Sequence, residues 1–383
     1  VTISEEEMMR YDLETPAVWS ALSEFGLDLL KTARQEGEGT LLSPLSAALA
    51  LSMAANGADG ETLDQFREVL GDGASLEALN VSCSALMKLY GGLGGSTECS
   101  IADSLWLDGR LEANELFLSR CTAFYGARLY QADLDTDGAR RAVNNWVGEV
   151  TRGLIPEVLA ETPAPETVLL LVNALYLKNA WASEFDPLDT RPGDFTAADG
   201  SEAETDFLSN GLRAEQYFAA EGAAGVVLPY DDGRLGFLAV LPDGELDAWL
   251  ETLDGDTLPA LLAAAEEERV LLRLPKFEAE WGGELSDALA AMGLETAFDS
   301  GRADFSALGT APDGPLYVSS VVHKARIEVN EKGTEAAAAT VVEVEDAAAP
   351  TDYRELVLDR PFCYAVVDLE RGVPLFLGTF ERP

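Results

Sequence analysis

The stretch TVLLLVNALYL, from Thr167 to Leu177, sets the first limit on the fold. It is apolar without alternation, with Asn173 set into its middle. A strand with one wet face alternates apolar and polar side chains, whereas a continuous apolar run is a strand covered on both faces. The run is too short to cross a membrane. The chain therefore needs a substantial sheet with a layer on each side. Its 383 residues, 47% hydrophobic, are enough for such a core. Ser100 to Leu107, Val270 to Phe277, Leu316 to Val329 and Val373 to Thr379 also read as strands. Val226 to Tyr230 and Leu235 to Leu241, joined through Asp231-Asp232-Gly233, read as a hairpin.

Helices supply the covering layers. Thr15-Pro16 is placed to open a helix running to Arg34, with Val18, Leu22, Phe25 and Leu29 on one face. Ser43 to Ala55 reads as a buried helix of small residues. Shorter helices are expected over Glu61 to Leu70, Leu76 to Leu89 and Ala113 to Phe124, and longer ones over Ala142 to Leu159 and Glu245 to Glu267. No internal repeat or interdomain linker interrupts the pattern. The expectation is one α+β domain over residues 1–383, with large antiparallel or mixed sheets.

Charge restricts the partners. There are 68 acids against 26 bases, a formal net charge of -42. Such a surface repels nucleic acid, heparin-like polyanions and anionic membranes. Metal chemistry is poorly provided for. Cys83, Cys99, Cys121 and Cys363 form no CxxC pair, His323 is the sole histidine, and no zinc-type cluster can be assembled. Asp133, Asp135, Asp137 and Gly138 begin like a calcium loop, but its twelfth place, which needs a bidentate glutamate, holds Asn144. No cofactor is expected. Asn80-Val81-Ser82 forms a glycosylation sequon. GxSxG, phosphate-loop and dinucleotide fingerprints are missing, and His323 lies in an alternating strand, so a hydrolase is disfavoured.

One segment asks for a function. Glu331 to Pro350 reads EKGTEAAAATVVEVEDAAAP. Glu335, Glu343 and Glu345 fall at odd positions; Thr334, Ala336, Ala338, Thr340, Val342 and Val344 fall at even ones. As a strand it would have one small or apolar face and one acidic face. Four consecutive alanines favour helix instead, with Thr334 as N-cap and a linker behind. The segment alone leaves both readings open.

Its flanks decide. VVHKARIEVNEKGTEAAAA (Val321 to Ala339) and LVLDRPFCYAVVDLERGVPLFLGTFERP (Leu356 to Pro383) resemble the serpin family. So do LLSPLSAALALSMAANGA (Leu41 to Ala58), LVNALYLKNAW (Leu171 to Trp181) and LRLPKFEAEWGGELSDALAAMGLETAFD (Leu272 to Asp299). The matches follow family order across nearly the whole chain.

The resemblance implies a single serpin-like domain with a large central β-sheet, two smaller sheets, about eight to nine helices and an exposed reactive-centre loop over residues 331–353. It makes Glu331, Gly333, Thr334, Glu335, Ala336, Ala337, Ala338 and Ala339 a hinge, and Ser43, Ser46, Asn173 and His323 a shutter beneath the sheet. Trp181, Lys276 and Glu331 match the breach at its top, and Ala142 to Leu159 match a helix lying across it. Gly39 departs from the family, which often has Asn there. The region carrying a basic activation helix in some serpins offers only Lys88 between Leu79 and Tyr90.

The implied activity is suicide inhibition of serine proteases by loop insertion. Family spacing puts the scissile bond at Ala347-Ala348, which suits an elastase-like pocket; a shift to Glu345 or Asp346 would suit an acid-selective protease. A non-inhibitory serpin acting as a binding or chaperone-like protein is the other reading. The resemblance also implies a secreted or extracellular monomer. VTISEEEMMR is not a signal peptide and does not begin with Met, as in a mature or trimmed form.

Overall fold

The computed structural model describes residues 5–312, 314–334 and 352–383, with side chains from residue 16 onward. The first elements are α1 (Glu5–Ala33), β1 (Thr40–Leu42), α2 (Pro44–Ala55), α3 (Gly60–Gly71), α4 (Leu76–Tyr90), β2 (Glu98–Leu107), β3 (Glu112–Ala113), α5 (Glu115–Tyr125), β4 (Arg128–Gln131) and α6 (Asp137–Val150). Then come β5 (Leu169–Ala180), β6 (Arg191–Thr196), β7 (Glu202–Leu208), β8 (Leu212–Ala220), β9 (Ala223–Pro229), β10 (Leu235–Pro242), α7 (Leu246–Leu250) and α8 (Thr257–Ala264). The last are β11 (Glu266–Pro275), β12 (Phe277–Glu284), α9 (Ser286–Ala291), α10 (Glu295–Phe298), β13 (Gly309–Thr310), β14 (Val322–Asn330), β15 (Gly333–Thr334), β16 (Arg354–Val357), β17 (Phe362–Asp368) and β18 (Pro374–Phe380).

Three sheets result. A ten-stranded sheet runs β1-β18-β17-β10-β9-β8-β11-β7-β6, with β16 pairing β11 in parallel. A six-stranded sheet runs β12-β14-β15-β5-β2-β4, and β3 and β13 form a small ribbon. The apolar run that opened the sequence is β5, inside the six-stranded sheet and antiparallel to β2 over its whole length. One face of β5 meets α2, whose small and aliphatic side chains are almost all buried and which also packs on β18. The opposite face meets α6 through a separate cluster of Trp106, Val143, Trp146, Val147 and Val172. Both faces are therefore dry, which is why β5 carries no polar alternation.

Ten helices occur among the described residues, more than the eight to nine expected, because α7, α9 and α10 are only 5, 6 and 4 residues long. Several boundaries also differ: β14 begins at Val322 rather than Leu316, and α6 begins at Asp137 rather than Ala142. α1 starts at Glu5 and keeps Pro16 inside it, so Thr15-Pro16 is not its entry. α6 stops at Val150, not Leu159, because Arg152 and Gly153 take left-handed conformations, with φ of 53° and 85°. The expected helix Glu245 to Glu267 breaks into α7 and α8, and its acidic end becomes β11, with Glu266 to Arg269 pairing Tyr217 to Ala214. There a strand partner overrides the helical preference of a glutamate run. The hairpin β9–β10 forms as expected.

All four cysteines are free thiols; Cys83, Cys121 and Cys363 are buried. Asn80 is 1% exposed and hydrogen-bonds Asn56, while Tyr125 donates to its Oδ1, so the sequon asparagine belongs to the core. The chain end is pinned where Arg34 pairs with the buried Glu381 at 2.7 Å and with Asp247 at 2.6 Å.

The ten-stranded sheet is packed tightly enough to make one glycine indispensable. A Cβ on Gly225 would lie 2.2 Å from the Ala239 carbonyl oxygen and 2.3 Å from the Phe218 ring. A ladder carbonyl cannot step aside without breaking β9–β10. Gly225→Ala should cost about 1–3 kcal/mol. Denaturant unfolding checks this; an unchanged midpoint would contradict the packing described.

Candidate functional site

The candidate site is the line along which β14 and β5 face each other. At its upper end the two-residue strand β15 lies between them. Thr334 is opposite Val329 on one side and Asn179 on the other; Gly333 is opposite Asn330 and Ala180. Among the described residues no other ladder pair joins β14 to β5. Below Thr334 the two strands thus flank a slot in the sheet.

Local chemistry explains why the chain enters there. Gly333 has φ of 148°, and a Cβ on it would meet the Asn179 carbonyl oxygen at 2.1 Å. Only glycine fits that close approach without strain. Thr334 is 3% exposed, and its hydroxyl lies 2.6 Å from the Tyr230 hydroxyl. Its side chain thus faces inward, as the even-numbered face was expected to do. Glu335, Ala336, Ala337, Ala338, Ala339, Ala347 and Ala348 lie outside the described residues.

Above β15, the three expected breach residues meet. Lys276 stands where the chain passes from β11 to β12, and its Nζ lies 3.0 Å from Glu331 Oε2. Thr190 donates to Glu331 Oε1 at 2.9 Å. Burial raises the Glu331 carboxyl, but hydrogen bonds from its own backbone, Lys276 and Thr190 outweigh this and hold it below its ordinary 4.5. Trp181 donates its indole N–H to Asn330 O at 2.9 Å and its backbone N–H to Lys332 O at 3.0 Å. The indole stacks on the Tyr230 ring, with centroids 4.9 Å apart. The turn Asn330 to Lys332 is therefore clasped, which fixes where β15 begins.

Beneath the sheet the four expected shutter residues also come together, at the N-terminus of α2. Ser43 is its N-cap, followed by Pro44 at the first helical position. The Ser43 backbone N–H donates to His323 Nε2 at 3.0 Å, and His323 belongs to β14. The Ser46 hydroxyl donates to Asn173 Oδ1, and Asn173 belongs to β5. The Ser43 hydroxyl donates to Leu375 O in β18 at 2.8 Å. One helical turn thus holds both flanks of the slot and a strand of the other sheet. An accepting Nε2 must be unprotonated, and burial pushes the His323 imidazole down to about 4.

Tyr230, Thr190 and Asp103 were not singled out by the sequence. Asp103 sits opposite Asn173 in the β2–β5 ladder and accepts from Asn173 Nδ2 at 2.9 Å. Its signal was present: an acid in the middle of the strand CSIADSLWL. The residues that begin like a calcium loop do other work. Asp137 pairs with Arg140 and Arg141, and Asn144 clamps the chain after α6 by accepting from the Val158 and Leu159 N–H groups.

Residues 20–383 match a family model described as serpin, serine protease inhibitor. A serpin from Oryza sativa subsp. japonica, Serpin-ZXA, is 35% identical over 364 residues, covering 91% of each chain. An uncharacterised serpin-like protein of Thermococcus kodakarensis is 31% identical over 387 residues, covering 98% of this chain and 88% of the other. The crystal structure of tengpin, a thermophilic serpin, in its native state superposes with a TM-score of 0.89 at 32% identity, covering 100% of this chain and 96% of that one. Its latent state superposes with a TM-score of 0.83 at 31% identity, covering 95% and 97%.

The Lys276–Glu331 pair gives a pH prediction. Glu331 has a depressed pKa in the fold, so its stabilisation is present above about 4.5 and is lost as pH falls below that. Lys276 is 42% exposed, so the pair contributes less than about 1 kcal/mol. Melting of the parent protein and Lys276→Met should differ by a small step at neutral pH that closes near about pH 3. An equal difference at both pH values would rule the ion pair out as its cause.

Proposed function

The chain belongs to the serpin family, whose members are at family level protease inhibitors, and on that premise we propose a suicide inhibitor that works by inserting its loop. The observation that carries this reading is β15. The residues leading into the loop are already a strand, paired on both sides, at the mouth of a slot that has no other ladder pair among the described residues. Each further residue entering the slot would add ladder hydrogen bonds, each worth roughly 0.5–1.5 kcal/mol. About a dozen of them, with burial of the even-numbered face, exceed roughly 10 kcal/mol. That gain is withheld while the loop is held at both ends. A protease that cuts the loop and remains attached as an acyl-enzyme releases one end, and insertion carries it away before water can complete hydrolysis. Entry of a serpin's reactive loop into its own sheet is a known mode of β-strand addition, in which main-chain hydrogen bonds supply the driving force.

Small residues set the rate. A side chain that fills poorly or carries charge delays insertion and lets deacylation win. The small side chains from Thr334 to Ala339 support the inhibitory reading over a binding or chaperone-like one. The proposed scissile bond is Ala347-Ala348, and the proposed target is an elastase-like protease, whose shallow pocket accepts alanine. The free form acts as a monomer outside the cell in this reading.

The test is incubation with an elastase, followed by denaturing electrophoresis and mass analysis of the released C-terminal fragment. A denaturant-resistant complex and a fragment beginning at Ala348 are expected. Cleavage without complex would favour the non-inhibitory reading, and a fragment beginning at Asp346 or Ala347 would move the bond and the target class. Ala347→Arg should redirect inhibition to trypsin-like enzymes.

Thr334→Arg should turn the inhibitor into a substrate. Thr334 is buried against Tyr230, and an unpaired charge there costs several kcal/mol, on the order of 3 or more. Counting protease molecules inhibited per molecule consumed checks this; unaltered stoichiometry would remove Thr334 from the inserting face.

A further inference from the structure

Asp103 places a carboxyl in one of the driest parts of the molecule. It is 2% exposed. Its Oδ1 accepts from Asn173, but its Oδ2 is fully buried with no hydrogen-bond partner among the described residues. Asn173 is the β5 residue that Ser46 holds, so Ser46, Asn173 and Asp103 form one chain from α2 through the slot flank to β2.

Among the described residues, the groups it influences bring no cation. Asp103 acts electrostatically on Cys83 of α4 and on Cys121 and Tyr125 of α5. Burial pushes the Cys83 and Cys121 thiols up to about 11 and about 12, and it raises the Tyr125 phenol well above its ordinary value. All three are neutral near pH 7. Arg120, beside Cys121, turns to Glu77 at 3.5 Å. An ionised Asp103 would therefore have one amide to satisfy it and a bare oxygen on its other side.

We propose that Asp103 is a proton-linked positioning residue for the β5 flank of the slot: protonated, it lets Asn173 and Ser46 hold β5 in place between α2 and β2, the closed state, and ionised, it favours opening, the local release of β5, because water can then reach Oδ2 past Asn173. The inference rests on the loop-insertion reading for its meaning but not for its measurement. The sign follows from burial, which holds the carboxyl at about 7 in the closed fold against an ordinary 3.8. A raised pKa gives the closed state its full advantage at low pH, and this advantage fades as pH rises toward 7 and is level above it. His323, on the other flank, has the opposite sign: held down to about 4, it favours opening as pH falls below its ordinary 6.5. The two slopes oppose each other, so the parent profile alone is a poor gauge of either.

The experiment compares parent protein and Asp103→Asn by hydrogen exchange of the β5 amides, corrected for intrinsic rates, between about pH 5 and about pH 8. The His323 contribution cancels in the ratio of the two opening constants. That ratio, parent over variant, should rise about tenfold or more up to about pH 7 and then level off. A ratio that does not vary with pH overturns the proposal. If D103N does not fold, Asp103→Ser and the parent, both in a His323→Gln background, give the same comparison with the same two outcomes. Protease complexes are scored on the same samples. A missing complex with the pH-dependent ratio intact sinks the inhibitory reading and leaves this one; a flat ratio with the complex intact sinks this one alone.

Discussion

The structure depends on strand pairings that, among the described residues, β14 and β5 do not make with each other. A sheet interior ordinarily satisfies every backbone donor and acceptor, because an unpaired buried amide costs about as much as a lost hydrogen bond. Here, among the described residues, two central strands are joined only at their upper ends, through Gly333 and Thr334. On their outer sides the strands are paired: β5 with β2 from Leu169 to Lys178, and β14 with β12 from Val322 to Val329. On the proposed loop-insertion reading, the free energy of the inserted state is stored as ladder bonds awaiting one more strand, a reservoir of a kind also used by other switches built on loop insertion.

Holding such a slot demands something other than sheet hydrogen bonds. The first turn of α2 does it from below, with Ser43 reaching His323 and Ser46 reaching Asn173. The turn from Asn330 to Lys332 does it from above, clasped by Trp181 and by the Lys276–Glu331 pair. Both devices are polar, and polar bonds can exchange partners in a way that interdigitated leucines cannot. The apolar layers, α2 on one face of β5 and α6 on the other, surround those few polar bonds with packed side chains and make them count. Asp103 sits behind this arrangement as a buried acid whose ionisation loosens what Asn173 secures.

Much of this is legible in residue order. The unbroken apolar character of β5 requires cover on two faces, and the small residues of α2 require that it lie in the interior; both follow from local composition because burial leaves a direct mark on side-chain choice. The ordered motifs point to the family and, through it, to Ser43, Ser46, Asn173 and His323 as one cluster. Boundaries are less legible. Pro16 lies inside α1 and α6 ends early at Val150, and the conversion of Glu266 to Arg269 into strand depends on pairing with distant chain, which overrides a local preference.

By itself the sequence determined that this is a serpin with a hinge of small residues, since side-chain size and order are written in it directly. The tertiary structure decided what each of those residues meets. Gly333 is glycine because the Asn179 carbonyl lies where its Cβ would be; Thr334 is buried because Tyr230 waits beneath it. Asp103 was one acid among 68 in the sequence and became singular only when folding closed α4, α5 and β5 around it. A carboxyl's chemistry is set by the water and charges around it, and those are properties of the assembled fold rather than of the chain.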